Sequence, residues 1–132
     1  MSADASGVRV FNPAVIEDLR ETLGEEAPEV IGTAASRFAA RSAARLQTAH
    51  EAAVRGDAVS LAQLAHQLRG GASQLGAERM AALAEELETM ARRGAVDGAV
   101  ALVGRLREAF IETQAALHAL GVPIADDAAG ST

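Results

Sequence analysis

Apolar residues recur along most of the chain at steps of three and four, which is the spacing of amphipathic helices. The clearest case is the segment from Asp57 to Gly76, where Asp57 suits an N-cap and Gly76 suits the left-handed residue that ends a helix. Its apolar positions are Leu61, Leu64, Ala65, Leu68, Ala72 and Leu75. The pattern predicts a helix with one side in a core and the other in solvent.

The same criteria predict four more helices, over about 12–24, 28–56, 77–93 and 97–120, with Val100 among the inward positions of the last. The breaks at Gly56, Gly76 and Gly94 leave short connections, which favour antiparallel neighbours. The prediction is an all-α fold, an antiparallel up-down-up-down four-helix bundle with a short additional N-terminal helix across one end. Residues 1–10 and 122–132 lack an apolar periodicity and are predicted to be flexible tails around one domain at 11–121.

Composition narrows the possible functions. A net charge of -6 argues against nucleic acid as the main partner, because binding to a phosphate backbone needs clustered cations. The absence of cysteine fits a reducing compartment, and neither a secretory signal nor a membrane-length apolar run is visible, so a cytoplasmic protein is expected. A protein partner is therefore more plausible than nucleic acid or a membrane.

The third predicted helix carries the candidate chemistry. On a helical wheel, its solvent side has one stripe formed by Ala62, His66, Arg69, Gly70 and Ser73. Small residues one turn away on either side leave the imidazole accessible. Two consecutive glycines, Gly70 and Gly71, each weaken a helix by about 1 kcal/mol relative to alanine, which indicates a purpose other than helix stability. Access for another protein's backbone is one such purpose.

Two kinds of charged residue are expected near this imidazole. Arg69 follows His66 by three positions and can offer positive charge to a phosphoryl group on the ring. Folding the chain back at Gly76 brings residues near position 86 opposite His66, so that a glutamate there can accept the proton of Nδ1 and leave Nε2 as the nucleophile. Glu88 is the first choice for this acceptor, and Glu85 is the second.

The stretch Ala65-His66-Gln67-Leu68-Arg69-Gly70, completed by Leu75-Gly76-Ala77, resembles the signature of histidine-containing phosphotransfer (HPt) domains. That signature reads approximately Ala-His-x-Leu-Lys-Gly followed by a Leu-Gly-Ala turn. The resemblance extends over about residues 11–120. Arg69 stands in place of the commoner Lys, and Ala72 stands where many members have Ser.

The resemblance implies a monomeric phosphocarrier of a two-component phosphorelay, without kinase activity of its own, that accepts and donates a phosphoryl group on Nε2 of His66. It also implies that Glu88 occupies the place of the family's frequent Gln or Glu partner of the histidine. The implied partners are response-regulator receiver domains and a hybrid sensor kinase. No cofactor or metal of the chain's own is expected, and the receiver would bring Mg²⁺.

Two alternatives remain open from the sequence. One is a helical adaptor that binds a kinase or receiver without accepting phosphate. The other is an unrelated helical scaffold in which Gly70 faces a neighbouring helix. Exposure of Gly70 beside His66 would exclude the scaffold.

Overall fold

The computed structural model describes residues 7–124. Five α-helices lie within this range, and no strand is found there: α1 (Pro13–Leu23), α2 (Ala27–Arg55), α3 (Ala58–Leu75), α4 (Glu78–Arg92) and α5 (Ala99–Ala119). A single 3₁₀ turn, Gly24–Glu26, joins α1 to α2. Helices α2 to α5 pack around one core, and α1 packs on α2. The predicted four-helix bundle with an additional N-terminal helix is confirmed.

Aliphatic side chains fill this core, as the low aromatic content requires. Leu46, Leu61, Leu68, Leu87 and Leu106 are almost completely buried. Alanines fill most of the remaining space between the helices, and their small size lets the backbones approach closely. Helix α3 packs most extensively against α4, so a residue on the solvent side of α3 has α4 as its nearest neighbour.

The turn between α3 and α4 is fixed by Gly76, which ends α3 in the left-handed conformation with φ +89°. Its carbonyl oxygen accepts a hydrogen bond from the backbone N–H of Asn12 at 2.8 Å. A Cβ at this position would lie 2.9 Å from the Asn12 carbonyl oxygen and 3.0 Å from Cγ2 of Val15. Glycine is therefore needed both for its backbone conformation and for the close approach of the segment that leads into α1.

We expect Gly76→Ala to destabilise the protein by about 2 to 4 kcal/mol, because a left-handed conformation and an overfilled contact are penalised together. Chemical denaturation measures this loss. Gly98→Ala is the matched control, since Gly98 also has a positive φ of +85° but open space around its Cβ position. Equal losses for the two variants would show that the contact with the α1 segment contributes nothing.

The ends of the domain differ from the sequence prediction. Val122, assigned to the C-terminal tail, is buried, and the position of a Cβ on Gly32 would lie 3.3 Å from Cγ of Pro123. At the other end, Arg9 forms an ion pair with Glu78 at 2.8 Å. The boundaries at residues 11 and 121 therefore exclude residues that pack on the bundle. The other tail residues, 1–6 and 125–132, lie outside the described range.

Val100 was expected to face inward and is instead exposed. Helix α5 begins at Ala99, two residues later than predicted, and the buried residues of its first turns are Ala99, Leu102 and Val103. A position next to the start of a helix has few neighbours, so apolar character there is weak evidence for burial.

Candidate functional site

His66 lies in the middle of α3, where the caps at both ends of the helix hold its solvent-facing side in place. The Asp57 side chain accepts hydrogen bonds from the backbone N–H of Ser60 at 3.1 Å and from the Ser60 hydroxyl at 2.8 Å. Leu61, Ala65 and Leu68 turn into the core, so the intervening His66 points outward. Its side chain is 60% exposed, which leaves one edge of the ring open to an incoming group.

The other edge of the ring meets Glu88 of α4. Nδ1 of His66 lies 3.2 Å from Oε2 of Glu88, as expected from folding the chain back at Gly76. The Glu88 side chain is only 8% exposed, although the ring that it contacts is in solvent. A buried carboxylate thus supports an exposed imidazole from below.

Two arginines also bind this carboxylate. Arg92, one turn further along α4, donates to Oε2 from Nη2 at 2.7 Å and from Nε at 3.1 Å. Arg69 pairs with Oε1 through Nε at 3.2 Å. Glu88 therefore has three basic neighbours and is the centre of the site.

The hydrogen bond from Arg92 lowers the pKa of Glu88 below its ordinary value, and the charges of Arg69, Arg92 and His66 lower it further, against the effect of burial. Glu88 is consequently ionised at neutral pH and can only accept hydrogen bonds. The imidazole nitrogen that bonds to Glu88 must therefore carry a proton and act as the donor.

Nδ1 has two neighbours, the Glu88 carboxylate at 3.2 Å and Nη2 of Arg69 at 3.4 Å. Because arginine has no acceptor atom, Nδ1 would have to lack its proton in order to bond Arg69, and its lone pair would then face the Glu88 oxygen. Donation from Nδ1–H to Glu88 satisfies the shorter contact and avoids this repulsion. The neutral ring therefore carries its proton on Nδ1, and the lone pair of Nε2 faces solvent.

The sequence analysis expected Arg69 to offer its charge to a phosphoryl group on His66, but in the structure this charge is partly engaged by Glu88. The Nε of Arg69 is held by Glu88, and its Nη2 approaches the Nδ1 side of the ring. The Arg69 side chain remains 38% exposed, so part of it is open to solvent beside the imidazole. Arg92, which the sequence analysis did not name, also binds the carboxylate, and the four-residue Glu88–Arg92 spacing was the signal for it.

The exposed stripe of α3 is narrower than predicted. Gly70 and Ser73 are both exposed. A Cβ on Gly70 would meet nothing within 4 Å, so Gly70 does not face a neighbouring helix, and the unrelated helical scaffold is excluded. Gly71 lies at the edge towards α2, where a Cβ would be 3.8 Å from Cδ1 of Phe38. Ala62 does not belong to this surface, because it is only 9% exposed and belongs to the core.

Glu85, the second candidate for the imidazole partner, is exposed and has no hydrogen bond to His66. It lines a shallow depression between α3 and α4 together with Arg69 and Ser73. His50 and His118 have no carboxylate partner within the described range, so His66 is the histidine with an oriented ring.

A search of residues 7–124 found no group of three or more His, Asp or Glu side chains placed to hold a metal ion. None of the helices in that range is both long enough and apolar enough to cross a membrane.

Comparison with known proteins identifies the family to which this geometry belongs. The family model described as the Hpt domain matches residues 15–116, which is most of the chain. The chain belongs to the Hpt domain family. Among solved structures, the Hpt chain is similar to histidine-containing phosphotransfer protein B (HptB) from Pseudomonas aeruginosa PAO1, with 32% sequence identity and a TM-score of 0.73. The match covers 84% of this chain and 93% of that one. No curated protein matches the chain.

The chain is thus a histidine phosphotransfer protein of a phosphorelay, a signalling system in which Hpt domains work with receiver domains and kinases. The matched range includes α2 to α4 and most of α5, and it contains both His66 and Glu88. The Hpt family assignment agrees with an exposed, oriented imidazole on a helical bundle.

Proposed function

We propose that His66 is the phosphorylated residue of this Hpt domain and that it exchanges a phosphoryl group with an aspartate of a receiver domain. The observation that carries the proposal is the contact between Nδ1 and the buried, ionised Glu88 at 3.2 Å, on a ring that is 60% exposed. This contact directs the lone pair of Nε2 into solvent, where a partner's active site can reach it.

The chemical step follows from this orientation. The Nε2 lone pair attacks the phosphorus of the aspartyl phosphate, the bond between phosphorus and the aspartate oxygen breaks, and the carboxylate leaves with the electron pair. The ring becomes a phosphorylated imidazolium whose Nδ1–H remains bonded to Glu88. The negative charge of Glu88 stabilises the positive charge that develops on the ring, and donation to the next aspartate is the reverse reaction.

Arg69 and Arg92 have supporting functions in this proposal. Both keep Glu88 ionised and in place, and the exposed part of the Arg69 side chain can donate hydrogen bonds to the phosphoryl oxygens. Gly70 and Ser73 form the open surface over which the receiver's loops approach. The receiver would bring Mg²⁺, which neutralises charge on the transferred group, because the chemistry needs such an ion and the chain offers no ligand set for one within the described residues.

The proposed partners are response-regulator receiver domains, including one that belongs to a hybrid sensor kinase. We propose that the chain acts as a monomer in the cytoplasm and that it has no kinase activity of its own. The absence of cysteine supports a reducing compartment. His66 and its partner Glu88 belong to the same chain, so the site needs no second copy to complete it, which supports a monomer.

The test is to incubate the chain with each receiver domain of its own organism after phosphorylating that receiver with acetyl phosphate. We expect an acid-labile phosphoryl group to pass to the chain, and ³¹P and ¹H–¹⁵N NMR to place it on Nε2 of His66. Phosphorylation on Nδ1, or no transfer from any receiver, would overturn the proposal.

Replacing Gly70 tests the docking surface. Gly70→Gln exchanges a poor helix former for a good one at a position with open space, so we expect stability to increase by about 0.5 to 1 kcal/mol. Transfer should become slower, because the new side chain stands one turn from His66 and displacements near ~1 Å can cost about a hundredfold in rate. Thermal unfolding and transfer rates measure the two effects.

Gly104→Gln on α5 is the control, since a Cβ at Gly104 also meets nothing within 4 Å. It should stabilise the bundle similarly without slowing transfer. A Gly70→Gln variant that is stabilised and fully active would refute the approach of the receiver over Gly70.

A further inference from the structure

The acidic and basic residues of the chain are strongly segregated. Residues 30–50 of α2 and all of α3 carry four arginines and no aspartate or glutamate, in a chain with 18 acidic residues and a net charge of -6. The surface formed by the middle of α2 and by α3 is therefore basic, and the acidic residues lie at the ends of α2 and outside these two helices.

Three of these arginines, Arg37, Arg41 and Arg45, follow one another at four-residue intervals on α2 and form what we call the arginine stripe. Their side chains line one wall of a groove whose other wall includes Gly71 and Gln74 of α3. None of the three forms an ion pair with a residue in the described part of the chain. Like charges at this spacing destabilise a helix, so the stripe is not explained by the stability of α2.

The packing of α2 on α3 places the arginine stripe beside His66. Phe38 faces Gly71, where a Cβ would be 3.8 Å from its ring. Because the two helices are antiparallel, Arg41 is level with residue 68 and Arg45 with residue 64, on either side of the His66 position. The axes of packed helices lie about 8 to 10 Å apart, so the stripe runs alongside the helix that carries His66. At about 0.01 M salt the Debye length is about 30 Å, and the field of these charges then extends to a group at His66.

We infer that the arginine stripe is a docking surface for the acidic rim of the receiver's active site and that it accelerates the encounter that brings the phosphoryl group to His66. This inference rests on the function proposed above. The group that must approach is an acyl phosphate and therefore an anion, and a localised basic field attracts it while the net negative charge of the chain would repel it. Three arginines are too few for a nucleic-acid site, and Phe38, the aromatic residue between Arg37 and Arg41, is buried and offers no stacking surface.

The test uses the double variant Arg37→Gln/Arg41→Gln. Both side chains are exposed, and glutamine is a good helix former, so the fold is retained. The control is Arg55→Gln/Arg107→Gln, which removes the same charge from exposed or half-exposed positions away from the groove. The probe is the receiver domain of the same organism that phosphorylates the wild-type chain fastest, phosphorylated with acetyl phosphate, and the second-order rate constant of transfer is measured against salt concentration.

We expect Arg37→Gln/Arg41→Gln to lower this rate constant by about threefold to tenfold at about 25 mM NaCl, and by less than about twofold at about 0.5 M NaCl. The rate at saturating receiver should not change, and the control should stay within about twofold of wild type. Equal rate constants for the two double variants, or a loss confined to the rate at saturation, would overturn the inference while leaving the function of His66 intact.

Two further outcomes are informative. If no receiver phosphorylates the wild-type chain, the proposed function fails and this inference fails with it. Co-sedimentation with phosphatidylglycerol vesicles that is lost in Arg37→Gln/Arg41→Gln but kept in the control would assign the arginine stripe to a membrane surface and would overturn its assignment to a receiver.

Discussion

His66→Gln should lose all acid-labile phosphorylation by a phosphorylated receiver while keeping its fold. Glutamine has no nucleophilic nitrogen, because its amide lone pair is delocalised, and no other residue near the site can replace Nε2. The side chain of His66 is 60% exposed and contributes little to the core, so the thermal unfolding of the variant should stay close to that of wild type. Transfer of label from the receiver, followed by acid treatment, measures the loss.

His50→Gln and His118→Gln are the controls for this experiment. Neither histidine has a carboxylate partner within the described range, and we expect both variants to be phosphorylated at the wild-type rate. Acid-labile label on the His66→Gln variant, or its loss from either control, would contradict the assignment of His66.

Glu88→Ala should slow transfer by about tenfold to a hundredfold, by analogy with the loss of residues that orient a metal-bound histidine. Without the carboxylate, Nδ1 has no acceptor, the ring can exchange its tautomer, and the positive charge that develops on the ring is not compensated. Glu88→Gln separates these effects, because an amide oxygen can still accept from Nδ1–H but cannot pair with Arg69 and Arg92. We expect the glutamine variant to be faster than the alanine variant and slower than wild type.

Loss of Glu88 should reduce the stability of the bundle as well as the rate of transfer. The side chain is 8% exposed and binds two arginines, so Glu88→Ala should destabilise the bundle by about 1 to 3 kcal/mol. The expected loss is smaller than the roughly 3 to 5 kcal/mol that breaking a fully buried ion pair costs, because both arginines can turn into solvent once the carboxylate is removed. Glu85→Ala is the control, and slower transfer in that variant than in Glu88→Ala would place the imidazole partner one turn away.

The same carboxylate gives a dependence of stability on pH. Because the folded-state pKa of Glu88 lies below its ordinary value, its contribution is present above the unfolded-state pKa and is lost as pH falls through the lowered folded-state pKa. The difference in unfolding free energy between wild type and Glu88→Ala should therefore be constant near neutral pH and shrink in acid. Urea denaturation over this pH range measures it, and an unchanged difference in strong acid would contradict the ionic role of Glu88.

Much of the site was accessible from the sequence because two local rules determined it. Asp57 and Gly76 marked the ends of α3, and the spacing of its leucines fixed which side faced solvent. The glycine turn then fixed the register of α4, which brought Glu88 opposite His66. Helical periodicity and a short antiparallel connection determine which residues of two helices face each other to within about one turn. This precision was sufficient to place a glutamate of α4 beside His66.

The misplaced residues depended on distances that periodicity does not give. Ala62 shares a wheel sector with His66, but an alanine methyl does not extend past its neighbours, so close helix packing covers it. The bond of Arg92 to Glu88 depends on the rotamer of a long side chain. Val122 lies beyond the last helix, where no repeating pattern exists to indicate that the chain folds back onto α2.

The N-terminal and C-terminal segments of the described chain leave the bundle at the same pole. Arg9 is tied to the start of α4, the Arg20 side chain donates to the Leu120 carbonyl oxygen at 2.6 Å, and Pro123 lies beside Gly32 near the start of α2. His66 precedes the end of α3 at Gly76 by ten residues, or about 15 Å of helix. The described chain therefore begins and ends towards this pole and not over the imidazole, so a domain or label joined through these two segments would leave the side that carries His66 open.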